Sequence, residues 1–217
     1  CTYFITVEIK ADAVPTVTAT LDNQCTGSGS TFRITATAHG TNLKTPLTYG
    51  INGQTGAFGP DNFFDVSARA TPYTVWVKDA NGCTASATPI MVYPQLTATT
   101  VVKELDCSLT SPDATITVTP NGGRSAYTYA VSTNGGTSYT GMATNVYTTS
   151  TAGTFLIRVT DANGCTFVTT TTILPKTNPS LAIGSQKNVS CNGAANGSVQ
   201  LVGSGGSLTG GQNYQHS

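Results

Sequence analysis

From Tyr73 to Lys78 the chain alternates, so that an extended segment carries Tyr73, Val75 and Val77 on one face and Thr74, Trp76 and Lys78 on the other. The pattern returns at 155–160, with Phe155, Ile157 and Val159 against Leu156, Arg158 and Thr160. The first set stays apolar in both places while the second changes freely, which marks the first as the core face. A further strand, Phe32 to Ala38, sets Ile34, Ala36 and Ala38 against Arg33, Thr35 and Thr37. Clusters of Gly, Asn, Pro and Ser (TGSGS, INGQTG, GPDN, SPD, NGG, STNGG) divide these segments, and such residues turn the chain. Thr, Ser, Gly, Val and Ala dominate and helix formers are scarce, so the pattern predicts strands and turns.

The strands belong to a repeat. Cys1 to Cys83, Cys83 to Cys165 and Cys25 to Cys107 are each 82 residues, and Cys107 to Cys191 is 84. Ile34-Thr35-Ala36-Thr37 precedes Ile116-Thr117-Val118-Thr119 by the same 82, and Gly40 precedes Gly122. The pentapeptide Asp-Ala-Asn-Gly-Cys occurs at 79–83 and again at 161–165. This register predicts the last strand of a preceding truncated repeat at 1–14, whole repeats at 15–94 and 95–176, and the first part of another at 177–217. Both ends fall inside a repeat, and neither an initiator Met nor a signal peptide is present, so a piece of a longer array is expected. Roughly seven short strands per unit without a helix predict an all-β fold of tandem immunoglobulin-like β-sandwiches. Pro94 and Pro175 mark the joints, and linkers this short predict a fairly stiff rod.

A strand ending in V-x-D-A-N-G-C (Val77 to Cys83, Val159 to Cys165) is followed by a Thr-rich strand and Pro. Val189 to Gly206 then runs V-S-C-x-G-x-x-x-G-S-V into a Gly-Gly turn. This order resembles the SprB-type repeats of large surface adhesins of gliding Bacteroidota, which are substrates of type IX secretion. Cys25-Thr26-Gly27 and Cys107-Ser108-Leu109 depart from the Cys-Asn-Gly opening seen at Cys191-Asn192-Gly193. The resemblance implies a cell-surface or extracellular stalk: a non-enzymatic segment that gives reach and mechanical stability. Its expected partners are neighbouring repeats of the same chain, and copies of itself if it forms a filament. A carbohydrate-binding module, or a spacer array attached to a secreted enzyme, is the alternative.

Ten Lys+Arg balance ten Asp+Glu, and charged residues make up only 9% of the chain. That offers no electrostatic grip on nucleic acid, and no apolar run reaches the roughly 18–20 residues of a membrane span. No catalytic or nucleotide-binding motif is present, so neither enzyme activity nor a cofactor is expected. There is no CxxC pair and the only histidines are His39 and His216, so metal binding is not expected. Each Asp-Ala-Asn-Gly-Cys loop supplies one carboxylate where calcium needs six to eight oxygens. The loop reads instead as a turn, with Asp capping backbone N–H groups and Asn-Gly in left-handed positions.

Cys1, Cys25, Cys83, Cys107, Cys165 and Cys191 are candidates for structural disulfides in an oxidising setting. A repeat must use one offset throughout, which leaves 24 (Cys83–Cys107), 58 (Cys25–Cys83) and 140 (Cys25–Cys165). Cys25 and Cys83 fall at turns at opposite ends of a sandwich, roughly 23–33 Å apart for a strand of seven to ten residues. A disulfide spans about 6 Å between Cα atoms. Cys25–Cys165 is favoured, and Cys83–Cys107 stays open as the alternative. Trp76, Tyr127 and Tyr129 are candidate surface contacts for glycans, and Asn188 and Asn196 lie in glycosylation sequons.

Overall fold

The computed structural model describes residues 2–7, 14–25, 31–41, 43–106 and 113–206. Cys1, Cys107 and His216 lie outside the described residues. The chain gathers into two compact units. One comprises Cys1–Thr99, Pro120–Thr128 and Val159–Phe167, and the other Thr100–Thr119, Tyr129–Arg158 and Val168–Ser217. Among the described residues no helix is long and apolar enough to cross a membrane.

The first repeat supplies six strands: β1 (Thr16–Leu21), β2 (Thr31–His39), β3 (Thr48–Ile51), β4 (Phe63–Ser67), β5 (Val75–Lys78) and β6 (Thr84–Ser86). They form two antiparallel sheets, β1-β2-β4 and β3-β5-β6. The first, second and fourth strands thus lie in one layer, and the third, fifth and sixth in the other. Alternation dictates what lies between them. Val17, Phe32, Ile34, Ala36 and Val66 come from one sheet and Val75 and Val77 from the other, and together with Tyr73, Ala87 and Val92 they form one buried cluster. Fully burying a side chain of the Val or Ile class contributes about 1.5–3 kcal/mol, so these positions hold the sandwich shut. The outward residues Arg33 and Asp65 pair across β2 and β4 at 2.8 Å.

Two residues before β5, the Tyr73 hydroxyl donates to the Ser67 carbonyl at 2.8 Å. This ties the strand to the corner that precedes it, a tyrosine-corner arrangement. The second repeat has Phe155 at the equivalent place, which fills the core but cannot make that bond.

The second repeat runs β7 (Thr97–Lys103), β8 (Ala114–Asn121), β9 (Thr128–Ser132), β10 (Thr140–Met142), β11 (Val146–Thr149), β12 (Gly153–Thr160) and β13 (Thr166–Ile173). Its sheets are β11-β8-β7 and β10-β9-β12-β13. Apart from the added strand β10 at the edge of β9, the connectivity matches that of the first repeat. Ala114, Ile116, Val118, Phe155, Ile157 and Val159 are buried. Tyr147 of β11 meets Phe155 of β12 with ring centroids 5.6 Å apart, a contact from sheet to sheet. The fold is therefore all-β, built of tandem two-sheet sandwiches.

A hairpin of β14 (Ser180–Lys187) and β15 (Ser198–Ser204) follows, antiparallel, with a register shift between Ile183 and Ser185. Its apolar residues Leu181, Ile183, Val199 and Val202 are exposed. Residues 2–7 carry no strand, and Tyr3, Phe4, Ile5 and Val7 are exposed as well.

Candidate functional site: the cysteine-bearing turns

Both Asp-Ala-Asn-Gly-Cys segments close a hairpin, between β5 and β6 and between β12 and β13. In each the aspartate is buried and acts as the organising acceptor. Asp79 Oδ1 accepts the N–H of Asn81 at 3.0 Å and of Cys83 at 2.8 Å. Asp161 Oδ1 accepts those of Asn163 and Cys165, both at 2.9 Å. The aspartate N–H donates to the cysteine carbonyl at 3.0 Å in both turns, and the glycine N–H donates to the aspartate carbonyl at 3.0 Å. Gly82 and Gly164 take φ values of 88° and 82°. The expectation that Asn shares the left-handed region is corrected here, because Asn52 is the one non-glycine residue with positive φ among those described. The carboxylate already wraps the amides of both Asn and Cys, so one left-handed residue completes the reversal, and Gly supplies it without a Cβ clash.

The two turns differ at the second carboxylate oxygen. Asp161 Oδ2 accepts the Arg124 N–H at 2.8 Å, and the Ala162 N–H returns a bond to the Arg124 carbonyl at 2.9 Å. Gly123 lies flat against Asp161, where an added Cβ would stand 2.7 Å from Oδ2. The Gly123 N–H also donates to the Pro94 carbonyl at 2.8 Å. The closing turn of the second repeat is thereby keyed, through residues 122–124, to the Pro94 joint. In the first repeat the Ala80 N–H bonds to the Lys44 carbonyl at 3.0 Å, but Asp79 Oδ2 is buried with no hydrogen-bond partner among the described residues.

A disulfide joins Cys25 to Cys165, with Cα atoms 4.9 Å apart and a separation of 140 positions in sequence. The opening turn that carries Cys25 is clasped from the side. Gln24 Nε2 donates to the Tyr93 carbonyl at 2.8 Å, and the Tyr93 N–H donates to Gln24 Oε1 at 3.3 Å. The disulfide, this clasp and the Gly123–Pro94 bond all fall within the first compact unit. Cys83 is a partly exposed free thiol, and Cys191 is free and exposed in the connection between β14 and β15.

Chemically, three of the four carboxylate oxygens are committed to backbone amides. Asp161 spends both oxygens on three N–H donors, which leaves poor acceptor capacity for a cation. No group of three or more His, Cys, Asp or Glu side chains that could hold a metal occurs among the described residues. His39 Nε2 sits 3.0 Å from the Thr18 hydroxyl at the exposed edge of the β1–β2 pair.

The remaining candidates are scattered. Trp76 is half-buried and lines a shallow cleft of about 300 Å³ with Asn52, Gly53, Arg69, Pro72 and Thr74. Its cross-strand neighbours are Gly50 and Ser86. In the place of Trp76 the second repeat stacks Arg158 on Tyr139, 4.3 Å from the ring centroid. The Tyr127 hydroxyl donates to the Gly122 carbonyl at 2.7 Å, bracing the loop that serves Asp161. Tyr129 pairs with Met142 in the β9–β10 ladder and is partly buried. Asn188 and Asn196 are both exposed. The Asn196 amide is engaged by Ser190, accepting its N–H at 3.0 Å and donating to its hydroxyl at 2.9 Å. The Gln24–Tyr93 clasp escaped the sequence reading, since residues 69 apart carry no local signal of their pairing.

These features define a class: a tandem array of small β-sandwich repeats whose turns carry the covalent link. The SprB repeat family model matches residues 183–216. Two solved structures resemble the chain at low identity. One is the three N-terminal domains of the bacteriophage RB49 Highly Immunogenic Outer Capsid protein (Hoc). It is 14% identical at a TM-score of 0.37, covering 89% of this chain and 70% of that one. The other is a tetra-tandem repeat in the extending region of a large adhesion protein. It is 13% identical at a TM-score of 0.25, covering 88% of this chain and 62% of that one. No curated protein matches the chain.

Proposed function

We propose that this chain is a load-bearing segment of the stalk of an extracellular, surface-borne repeat adhesin, with no enzymatic role. The observation that carries this reading is the Cys25–Cys165 disulfide, which closes a loop of 140 residues around the Pro94 joint. Such a bond persists in oxidising, extracellular settings. It carries tension past the folded strands, because force entering at one cysteine leaves at the other. The SprB repeat match at 183–216 supports the same setting. Short proline-marked joints, keyed at Pro94 by the Gly123 bond, favour stiffness over a free tether. Antibodies raised against the chain test the reading on unpermeabilised cells of the source. Label along thin surface projections is expected, and label confined to the cell interior would overturn it.

A second reading has one observation behind it. Trp76, flanked across the sheet by Gly50 and Ser86, presents part of its ring to a cleft that also holds Asn52 and Arg69. An aromatic face beside amide and guanidinium groups suits a sugar ring. Binding to a glycan array that is lost on Trp76→Ala would favour a carbohydrate-binding module.

A further inference from the structure

We infer that the closing turn of the first repeat, built on Asp79 and Cys83, is a docking face for the opening turn of a preceding copy of this repeat, and that Cys83 seals that joint as a disulfide. The inference rests on the stalk reading and extends it to the turn that carries the free thiol of Cys83.

The argument starts from two turns with the same five residues and the same internal hydrogen bonds. Where the turn is docked, Cys165 is buried and bonded to Cys25, and Asp161 Oδ2 receives the Arg124 N–H. The loop that delivers this N–H is pinned by the Gly123 bond to Pro94. Where the turn is undocked, both features are missing. Cys83 is a partly exposed thiol, and Asp79 is only 4% exposed while its Oδ2 has no partner among the described residues. A buried carboxylate oxygen without a donor is costly, because it gives up hydration and gains no hydrogen bond in return. Its counterpart Asp161 escapes that cost through the Arg124 N–H, carried on the loop that Pro94 pins. The free thiol and the unpartnered oxygen therefore mark one and the same unfinished joint.

The complementary face is also visible. In the first repeat the opening turn is clasped by Gln24 and Tyr93, 69 residues apart. In the second repeat the Leu174 N–H donates to Glu104 Oε2 at 2.8 Å, 70 residues apart, a side-chain-to-backbone bond of similar span. The first repeat thus has a clasped opening end and an Asp-capped closing end. Counting the 140-residue offset of the observed disulfide back from Cys83 reaches the opening-turn cysteine of a preceding copy. Since 140 exceeds the 82-residue repeat, consecutive loops overlap, and tension meets a covalent bypass at every joint.

The bond forms by two exchanges with a small-molecule disulfide such as oxidised glutathione. The Cys83 thiolate attacks one sulfur and releases a thiolate, forming a mixed disulfide. The opening-turn thiolate of the docked copy then attacks the Cys83 sulfur and releases the second thiolate. Two protein thiols are oxidised and one disulfide is reduced to two thiols, which take up the two protons the protein thiols lose.

A lengthened chain tests this, with a further copy of residues 14–95 in place of residues 1–13. In the added copy Cys83→Ser removes its own closing thiol and Thr26→Ser marks its opening-turn peptide by mass. After folding in a glutathione redox buffer, digestion without reduction should yield the original Cys83 peptide linked to the marked peptide. Alkylation at Cys83 should fall at least about tenfold relative to the 217-residue chain. Cys83 still open to alkylation, or linked to Cys107 or Cys191, would overturn the inference. The Cys25–Cys165 peptide in the same digest keeps the two readings apart. Its absence sinks the stapled stalk, whereas its presence beside a free Cys83 sinks only the docking face. Asp79→Asn keeps the Oδ1 acceptor but places an amide where the unpartnered oxygen stands. In the lengthened chain it should slow the Cys83 link about tenfold while the Cys25–Cys165 link forms at its usual rate. An unchanged rate removes Asp79 from the joint.

Discussion

Pulling the chain by its two ends separates a covalent bypass from an ordinary string of domains. With the Cys25–Cys165 bond intact, tension crosses from one sulfur to the other, and the loop spanning the 140-position separation between them cannot lengthen. Its residues make up most of both sandwiches. Reducing the bond frees them, and a fully extended chain gains about 3.3–3.6 Å per residue, so the released contour is roughly 460–500 Å. The folded span being replaced is only the 4.9 Å between the two Cα atoms, so almost none of the gain is offset. The assay is single-molecule force spectroscopy with handles at the termini, run with and without reductant and repeated on Cys25→Ser/Cys165→Ser. The oxidised chain should lack the long extension and both reduced forms should show it. Equal total extension in oxidised and reduced chains would refute the argument, since it would mean that force does not travel through this bond. In bulk solution the same bond should raise unfolding stability by about 2–5 kcal/mol, the upper end following from the entropy of so long a loop.

Other consequences are checked by equilibrium denaturation. Asp161→Ala strands three backbone N–H groups and Asp79→Ala only two, so the first should cost about 3 kcal/mol or more and the second distinctly less. Equal losses would show that the Arg124 bond adds nothing. Tyr73→Phe removes the bond to the Ser67 carbonyl while keeping the ring, and should lower stability by about 1 kcal/mol. Gly123→Ala places a methyl against Asp161 in a left-handed position and should cost more than Gly164→Ala, whose Cβ meets open space. The Arg33 guanidinium holds the Asp65 carboxyl below its ordinary value of 3.8. The pair therefore favours the folded state above that pH and loses its effect as pH falls through the lowered value. The stability gap between the wild type and Asp65→Asn should accordingly narrow on acidification, and a gap that widened would reverse the assignment.

Period-two alternation at Tyr73–Val77 and Phe155–Val159 identified the core strands because burial on one face of a strand is a local rule. The capping Asp and left-handed Gly of each closing turn were legible for the same reason: the partners lie within five residues. The limit shows in Asp79 and Asp161, which sit in identical pentapeptides yet end with different hydrogen bonding. The difference arises outside the pentapeptide: Asp161 Oδ2 meets the Arg124 N–H, 37 residues away in sequence, while Asp79 Oδ2 meets no donor among the described residues. The bond from the Tyr127 hydroxyl to the Gly122 carbonyl, five residues apart, is likewise not announced by any local pattern.

The sequence by itself determined the repeat length, the all-β character, the buried face of each strand and the closing turns, since all of these depend on neighbours along the chain. Only the tertiary structure decided which cysteines meet, which aspartate oxygen finds a donor, and how Gln24 reaches Tyr93. Each of those contacts joins residues tens to more than a hundred positions apart. Their separation in space is set by where strands begin and end, and no local periodicity encodes that distance.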